Sequence, residues 1–183
     1  MGSATDSLPS NRKGELIEKA TALAGAIAGR QAFLLSGATT GIVYVVGKAA
    51  HEAGTFHVGI SPASHKREHL EKYKLPLDAC DLIIYTGFGL KGRNVVLVRS
   101  CDVVLFIAGS MGTLNEFTIA HDEGKVIGCL TGTGGVADET DYLLRKFGKD
   151  AGARIFREAD PERLMNACVT CFEESSKAPS LEA

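Results

Sequence analysis

The 183-residue chain has no Trp, only five Pro and 7% aromatic residues. Its charges nearly cancel, with 20 Lys plus Arg against 22 Asp plus Glu. A balanced chain with no basic, aromatic-rich stripe is a poor candidate for a bulk nucleic-acid binder. The first nine residues hold no apolar core region, so no signal peptide is read there and a cytoplasmic protein is expected. The longest uncharged stretch, residues 31–47, is broken in its middle by Ser36-Gly-Ala-Thr-Thr-Gly41. That is turn chemistry, so strand, loop and helix is the reading rather than a membrane span. GxxxxGK[ST] is absent, which disfavours a P-loop ATPase.

Cysteine is sparse and odd in number, at 80, 101, 129, 168 and 171. Buried free thiols in a reducing compartment are expected. Cys168 and Cys171 form a CxxC without a second pair or a nearby His, so helical spacing is the reading and no metal is assigned.

What is plentiful is glycine, 21 residues of it. Apolar periodicity predicts helices over 15–28, 42–53, 90–100, 113–123, 136–148 and 160–172. It predicts strands over 32–36, 56–60, 81–86, 103–107, 126–130 and 154–156, with 61–74 a mixed-charge loop that has room for a helical turn. Strict alternation of strand and helix implies a three-layer α/β domain with a mainly parallel sheet. One domain is expected over 14–173, with a flexible segment at 1–13 and a frayed tail at 174–183. Ligands of such a sheet sit beyond the carboxyl ends of its strands.

The glycines cluster at that edge: Gly37 and Gly41, Gly87 and Gly89, Gly109 and Gly112, and Gly132, Gly134 and Gly135. Glycine before a helix lets a phosphate approach the unpaired N–H groups of the first turn. Several such loops on one edge make an anion or nucleotide cleft the expectation. Glu116 follows Thr113 at the spacing of a capping box, with Thr113 as N-cap, so a purely structural role is its alternative. Arg99 is expected to pair with Asp102. His51 and His57 flank glycine turns, are expected to be partly exposed, and receive no role.

The segment from Thr86 through Ala108-Gly-Ser-Met-Gly-Thr-Leu-Asn-Glu116 resembles the Lonely Guy (LOG) proteins. These also carry a lysine-decarboxylase label and share a Rossmann-like superfamily with molybdenum-cofactor carriers and DNA-processing protein A. The LOG signature is PGGxGTxxE after an Arg-Lys pair; here Ala108, Ser110 and Asn94 stand for its Pro, second Gly and Lys. The Arg93-Asn94 form and Thr131-Gly-Thr-Gly-Gly-Val-Ala-Asp138 look closer to the bacterial and carrier-like branch. The resemblance implies a Rossmann-like fold and Arg93 and Glu116 as a catalytic pair of a phosphoribohydrolase acting on a nucleoside 5′-monophosphate. It also implies Gly109, Ser110, Met111, Gly112 and Thr113 as contacts of the phosphate, with Gly37, Thr39 and Gly41 in the place of the family's first-half glycine loop. Its alternative is a non-catalytic nucleotide or molybdenum-cofactor (pterin) carrier or sensor. It also implies a homodimer or dimer of dimers and no required cofactor. No sign of a pyridoxal phosphate site supports lysine decarboxylation. Such folds open with a strand ending in a Gly-Ser turn; Gly2-Ser3 matches the turn with no strand before it. A missing or truncated first strand is the expectation.

Overall fold

The computed structural model describes residues 1–2 and 10–177. Strands and helices alternate: α1 (Ser10–Ala28), β1 (Leu34–Ser36), α2 (Ile42–Glu52), β2 (His57–Ser61), α3 (Lys66–Glu71), β3 (Leu82–Tyr85), α4 (Gly89–Arg99), β4 (Val103–Ile107), α5 (Met111–Asp122), β5 (Val126–Leu130), α6 (Gly135–Phe147), β6 (Arg154–Glu158) and α7 (Pro161–Lys177). The Ser3 of the expected Gly-Ser turn and the end of the expected tail, 178–183, lie outside the described residues.

Every strand pairing is parallel, in two three-stranded sheets ordered β1-β2-β3 and β4-β5-β6. Within each sheet the strand carboxyl ends, and the glycine loops after them, therefore lie on one edge. Side chains of β4 alternate between two cores, as a strand covered on both faces must. Val104 and Phe106 pack with Val98 of α4, Phe117 of α5 and Ala137 of α6. Ile107, with half-buried Val103 and Leu105, packs with Leu23 and Ile27 of α1, Val46 of α2 and Leu164 of α7. Those helices form the outer layers of the expected three-layer α/β arrangement.

Between the half-sheets, Gly2 forms an isolated parallel bridge to Ile107. The Ile107 N–H donates to the Met1 carbonyl at 3.0 Å, and the Met1 ammonium donates to the Leu105 carbonyl. Among the described residues no helix is long and apolar enough to cross a membrane.

Two Ser–His pairs fix the ends of β1 and β2. His57 is buried, contrary to the expectation of partial exposure. Its Nδ1–H donates to the Ala79 carbonyl, and its Nε2 accepts from Ser36 Oγ at 2.8 Å. Ser36 Oγ in turn accepts the Ala38 N–H at 3.2 Å. One strand along, His69 Nε2–H donates to the Pro76 carbonyl at 3.1 Å and Nδ1 accepts from Ser61 Oγ at 2.8 Å. Ser61 Oγ accepts the Ala63 N–H at 3.1 Å. Each tautomer is the one that satisfies all its partners. The histidines shape loops, and the predicted 61–74 loop contains α3 because buried His69 holds it to the sheet.

Candidate functional site

The β4–α5 connection is the centre of the site. Ala108 has φ 51 and Gly109 φ 109, so the chain turns through two left-handed residues before Ser110 caps α5. The helix begins at Met111, and the Ser110 side chain makes no capping hydrogen bond. Leu114 N–H is bonded to the Ser110 carbonyl at 2.9 Å. The first turn of α5 thus presents N–H groups and a partial positive charge, with no carboxylate bonded to them among the described residues. The capping-box expectation fails here: Thr113 is not the N-cap but lies inside the helix, buried against Gly109. A methyl on Gly109 would sit 2.5 Å from Thr113 Cγ2, so only glycine fits that approach. Met111 is 75% exposed at the helix tip.

Glu116 projects from the next turn and is buried, as is Arg93 of α4. Arg93 Nη1 and Glu116 Oε1 are 3.7 Å apart. Asn94 completes the cluster: hydrogen bonding orients its amide nitrogen toward Glu116 Oε1 at 3.2 Å and the Leu90 carbonyl at 3.0 Å. Burial pushes the Glu116 carboxyl above the usual range, opposed by the Met1 ammonium, Arg93 and Lys91. Burial also pulls Arg93 down, opposed by Glu116. Desolvation outweighs attraction on both partners, so this pair is a poor source of stability. Arg93 Nε is buried with no hydrogen-bond partner among the described residues. A buried donor left unpaired is unfavourable, so Arg93 Nε lacks an acceptor at this point.

Gly37 joins the same cluster. The guanidinium lies against its α-carbon, where a methyl would stand 2.0 Å from Nη1. Gly41 caps α2 at φ 74, again without a side-chain cap, and Thr39 is half-buried in that loop. Gly2 sits between the loops: a methyl there would lie 2.8 Å from both the Ile107 carbonyl and Ile42 Cγ2. The structure therefore brings Gly37, Arg93, Gly109, Thr113 and Glu116 together, with the N-cap positions Gly41 and Ser110 at the two helix mouths.

Two contributors were missed in the sequence. Lys91 is exposed, and its Nζ comes within 4.0 Å of the side-chain position of Gly112. It adds a cation at the open mouth of α5, in place of the charge lost at Asn94. Thr133 is the other. Its buried hydroxyl donates to the Leu130 carbonyl at 2.6 Å and accepts the Ala108 N–H at 2.8 Å, pinning the turn. Arg99, expected to pair with Asp102, instead reaches Glu123 at 3.4 Å, because α4 packs along α5.

A family model described as the SLOG cluster4 family matches residues 1–165. The chain belongs to that family. An uncharacterized protein of Archaeoglobus fulgidus is 28% identical over 137 residues, which are 75% of this chain and 74% of that protein. Among solved structures, the structural-genomics target TM1055 superposes with a TM-score of 0.77 at 24% identity, over 95% of this chain and 96% of that one. The molybdenum cofactor carrier protein MCP of Chlamydomonas reinhardtii does so with a TM-score of 0.71 at 24% identity, over 95% of each chain. Such likenesses establish the fold. They give a coarser assignment than the Lonely Guy resemblance.

The backbone of this SLOG cluster4 protein also separates it from the LOG motif. Proline is fixed near φ −65°, and it has no N–H. Position 108 holds φ 51 and uses its N–H to bond Thr133. The Ala in place of the motif's Pro thus goes with a turn that proline cannot make.

Proposed function

We propose that this SLOG cluster4 protein binds a small phosphate-bearing molecule, a nucleotide or a pterin phosphate of the molybdenum-cofactor type, as a carrier or sensor. The observation that carries the reading is the uncapped first turn of α5, flanked by Lys91 and by the unpaired Nε of Arg93. In this reading the phosphate lies on the N–H groups of Met111, Gly112 and Thr113, with Gly109 and Ser110 shaping the turn. Gly37, Thr39 and Gly41 form the opposite lip. Glu116 holds Arg93 in place rather than meeting the ligand's reacting atoms. The fold shared with a molybdenum cofactor carrier supports a cargo of that kind. The protein itself needs no resident cofactor.

A second reading is phosphoribohydrolase action. It is favoured by the buried Glu116 carboxyl, whose raised pKa suits acid–base work beside an oxocarbenium-like state, with Arg93 holding phosphate or ribose. The test is incubation with a panel of nucleoside monophosphates, including N6-modified AMP, with free base measured by chromatography and retained ligand by native mass spectrometry. The carrier reading expects a 1:1 complex, weakened roughly tenfold in Lys91→Ala by loss of one charge-assisted contact, and no free base. Base release abolished in Glu116→Ala would replace it with the hydrolase reading. The homodimer implied by the resemblance belongs to this proposal, and sedimentation velocity tests it.

A further inference from the structure

The glycine loop after β1 serves two places. Gly37 lies against the Arg93 guanidinium. Thr40, three residues on, lines an open groove of about 480 Å³ between the start of α2 and the segment that follows α3. Tyr44, Leu70, Leu75 and Pro76 form its walls, and Lys74 is the cation among its lining residues. Three residue steps span at most roughly 10 Å. The groove therefore shares a wall with the lip of the phosphate site, within the length of one nucleoside monophosphate.

Its walls are held in place by the protein. Tyr44 Oη donates to Asp78 Oδ2 at 2.8 Å, and Lys48 Nζ bonds the same two oxygens at 3.3 and 2.9 Å. The polar end of the phenol is thereby satisfied and its ring is fixed. Leu75 is buried, and its N–H donates to the His69 carbonyl at 3.1 Å. Lys74 precedes it at φ 54, a left-handed conformation that glycine takes freely and a lysine does not. The side chain is exposed and forms no ion pair among the described residues. An unfavourable backbone kept at a lysine, where glycine would be relaxed, points to use of the side chain.

The lining narrows the occupant. A tyrosine ring, two leucines and a proline suit a flat, weakly hydrated ring. A lysine ammonium donates and cannot accept. It matches the adjacent carbonyl oxygen and ring nitrogen of an oxo heterocycle, the pair that lysine reads as O6 and N7 of guanine. Adenine carries an amino group at that place and sets donor against donor. Guanine and the oxidised pterins share the oxo edge.

We propose that this groove takes the ring of the ligand whose phosphate lies at the α5 mouth, and that Lys74 selects an oxo ring, guanine or pterin, over adenine. The position of the phosphate rests on the carrier reading; the groove and Lys74 stand on their own geometry.

The test follows affinity and backbone amide shifts of the full chain with GMP, AMP, guanosine, neopterin and inorganic phosphate. GMP, guanosine and neopterin are expected to move the amides of Thr40, Leu70 and Leu75. GMP should bind at least roughly tenfold more tightly than AMP, as one matched pair of contacts to the base edge provides. Lys74→Gly should keep or raise the Tm, because it relaxes the turn, and should lose the preference for GMP with an unchanged response to inorganic phosphate. Lys74→Arg should keep the preference. The ratio of neopterin to guanosine affinity then tells a pterin site from a guanine site. Equal affinity for GMP and AMP would overturn the proposal. So would a preference that survives in Lys74→Gly, or the absence of shifts in the groove with every probe. Guanosine or neopterin moving the groove amides while inorganic phosphate moves none of Met111, Gly112 and Thr113 would remove the phosphate reading and leave the groove standing.

Discussion

Two glycine loops follow neighbouring strands and read alike in the sequence, Ala108-Gly-Ser-Met-Gly112 and Thr131-Gly-Thr-Gly-Gly135. In the structure they are opposites. The α6 mouth is filled by the protein: Asp138 accepts the N–H groups of Gly132 at 2.7 Å and Gly134 at 2.8 Å. Two donors of the first turn are also taken, Val136 by the Gly109 carbonyl at 3.1 Å and Ala137 by the Ala108 carbonyl at 3.0 Å. Among the described residues the α5 mouth has no such carboxylate, and the second loop pins the turn before it. Glycine density alone therefore does not mark a ligand site. The presence or absence of an internal acceptor within one turn does.

The comparison is broken most severely by Ala108→Pro. Restoring the LOG motif's residue demands a φ that the turn does not have and removes the N–H bonded to Thr133. A loss of about 3 kcal/mol or more is expected in urea unfolding, with no gain of base release. A tolerated variant would mean that the turn relaxes to the LOG path. Next comes Gly135→Ala. Its methyl would stand 2.1 Å from the Gly109 carbonyl oxygen, at a residue with φ 60. Backbone cannot yield as a flexible side chain does, so about 2–3 kcal/mol and most phosphate affinity should be lost together. Stability lost with affinity kept would separate the loops.

Asp138→Ala makes the two mouths alike. Two charge-assisted bonds disappear from an exposed loop, for an expected loss of about 1–2 kcal/mol. The variant should also gain a phosphate response, since the freed α6 donors form a second anion site. Inorganic phosphate would then raise its Tm more than that of the parent chain; an equal rise would show that α6 stays closed without the carboxylate.

The apolar strands were legible in the sequence: 103–107 and 126–130 agree residue for residue with β4 and β5. The parallel three-layer arrangement followed from their continuous hydropathy. Ends set by single polar contacts were not legible. Helix α5 begins two residues before Thr113 because Ala108 and Gly109 leave the sheet in left-handed conformations, which no capping pattern encodes. Strand β6 and helix α7 reach Glu158 and Lys177, beyond Phe156 and Phe172 where the apolar signal stops. Arg93, Glu116 and Gly37 could be picked out by residue type and motif. Asn94 read as a lost charge, because only the fold shows its amide turned toward Glu116. His57 and His69 gave no signal, since their serine partners lie 21 and 8 residues away.

The smallest expected effect separates the two mouths by pH. Glu116 is buried behind the α5 mouth, whereas Asp138 is exposed at α6. Burial raises the Glu116 pKa above its unfolded value, so the folded state holds this proton more tightly. Stability from that difference is present below the unfolded pKa and is lost as pH rises through the folded pKa. Glu116→Gln is neutral throughout and removes that dependence. The variant should therefore be the more stable at neutral pH, with the gap closing as pH falls toward the ordinary carboxylate range. His57 acts in the opposite sense, because burial lowers its pKa. It weakens the fold as pH drops below the unfolded histidine value, in parent and variant alike, and so cancels from their difference. Urea unfolding of both proteins across neutral to mildly acidic pH checks the sign. A gap that widens on acidification would mean that Arg93, the Met1 ammonium and Asn94 together hold Glu116 charged, and that the α5 mouth is stabilised by its buried pair after all.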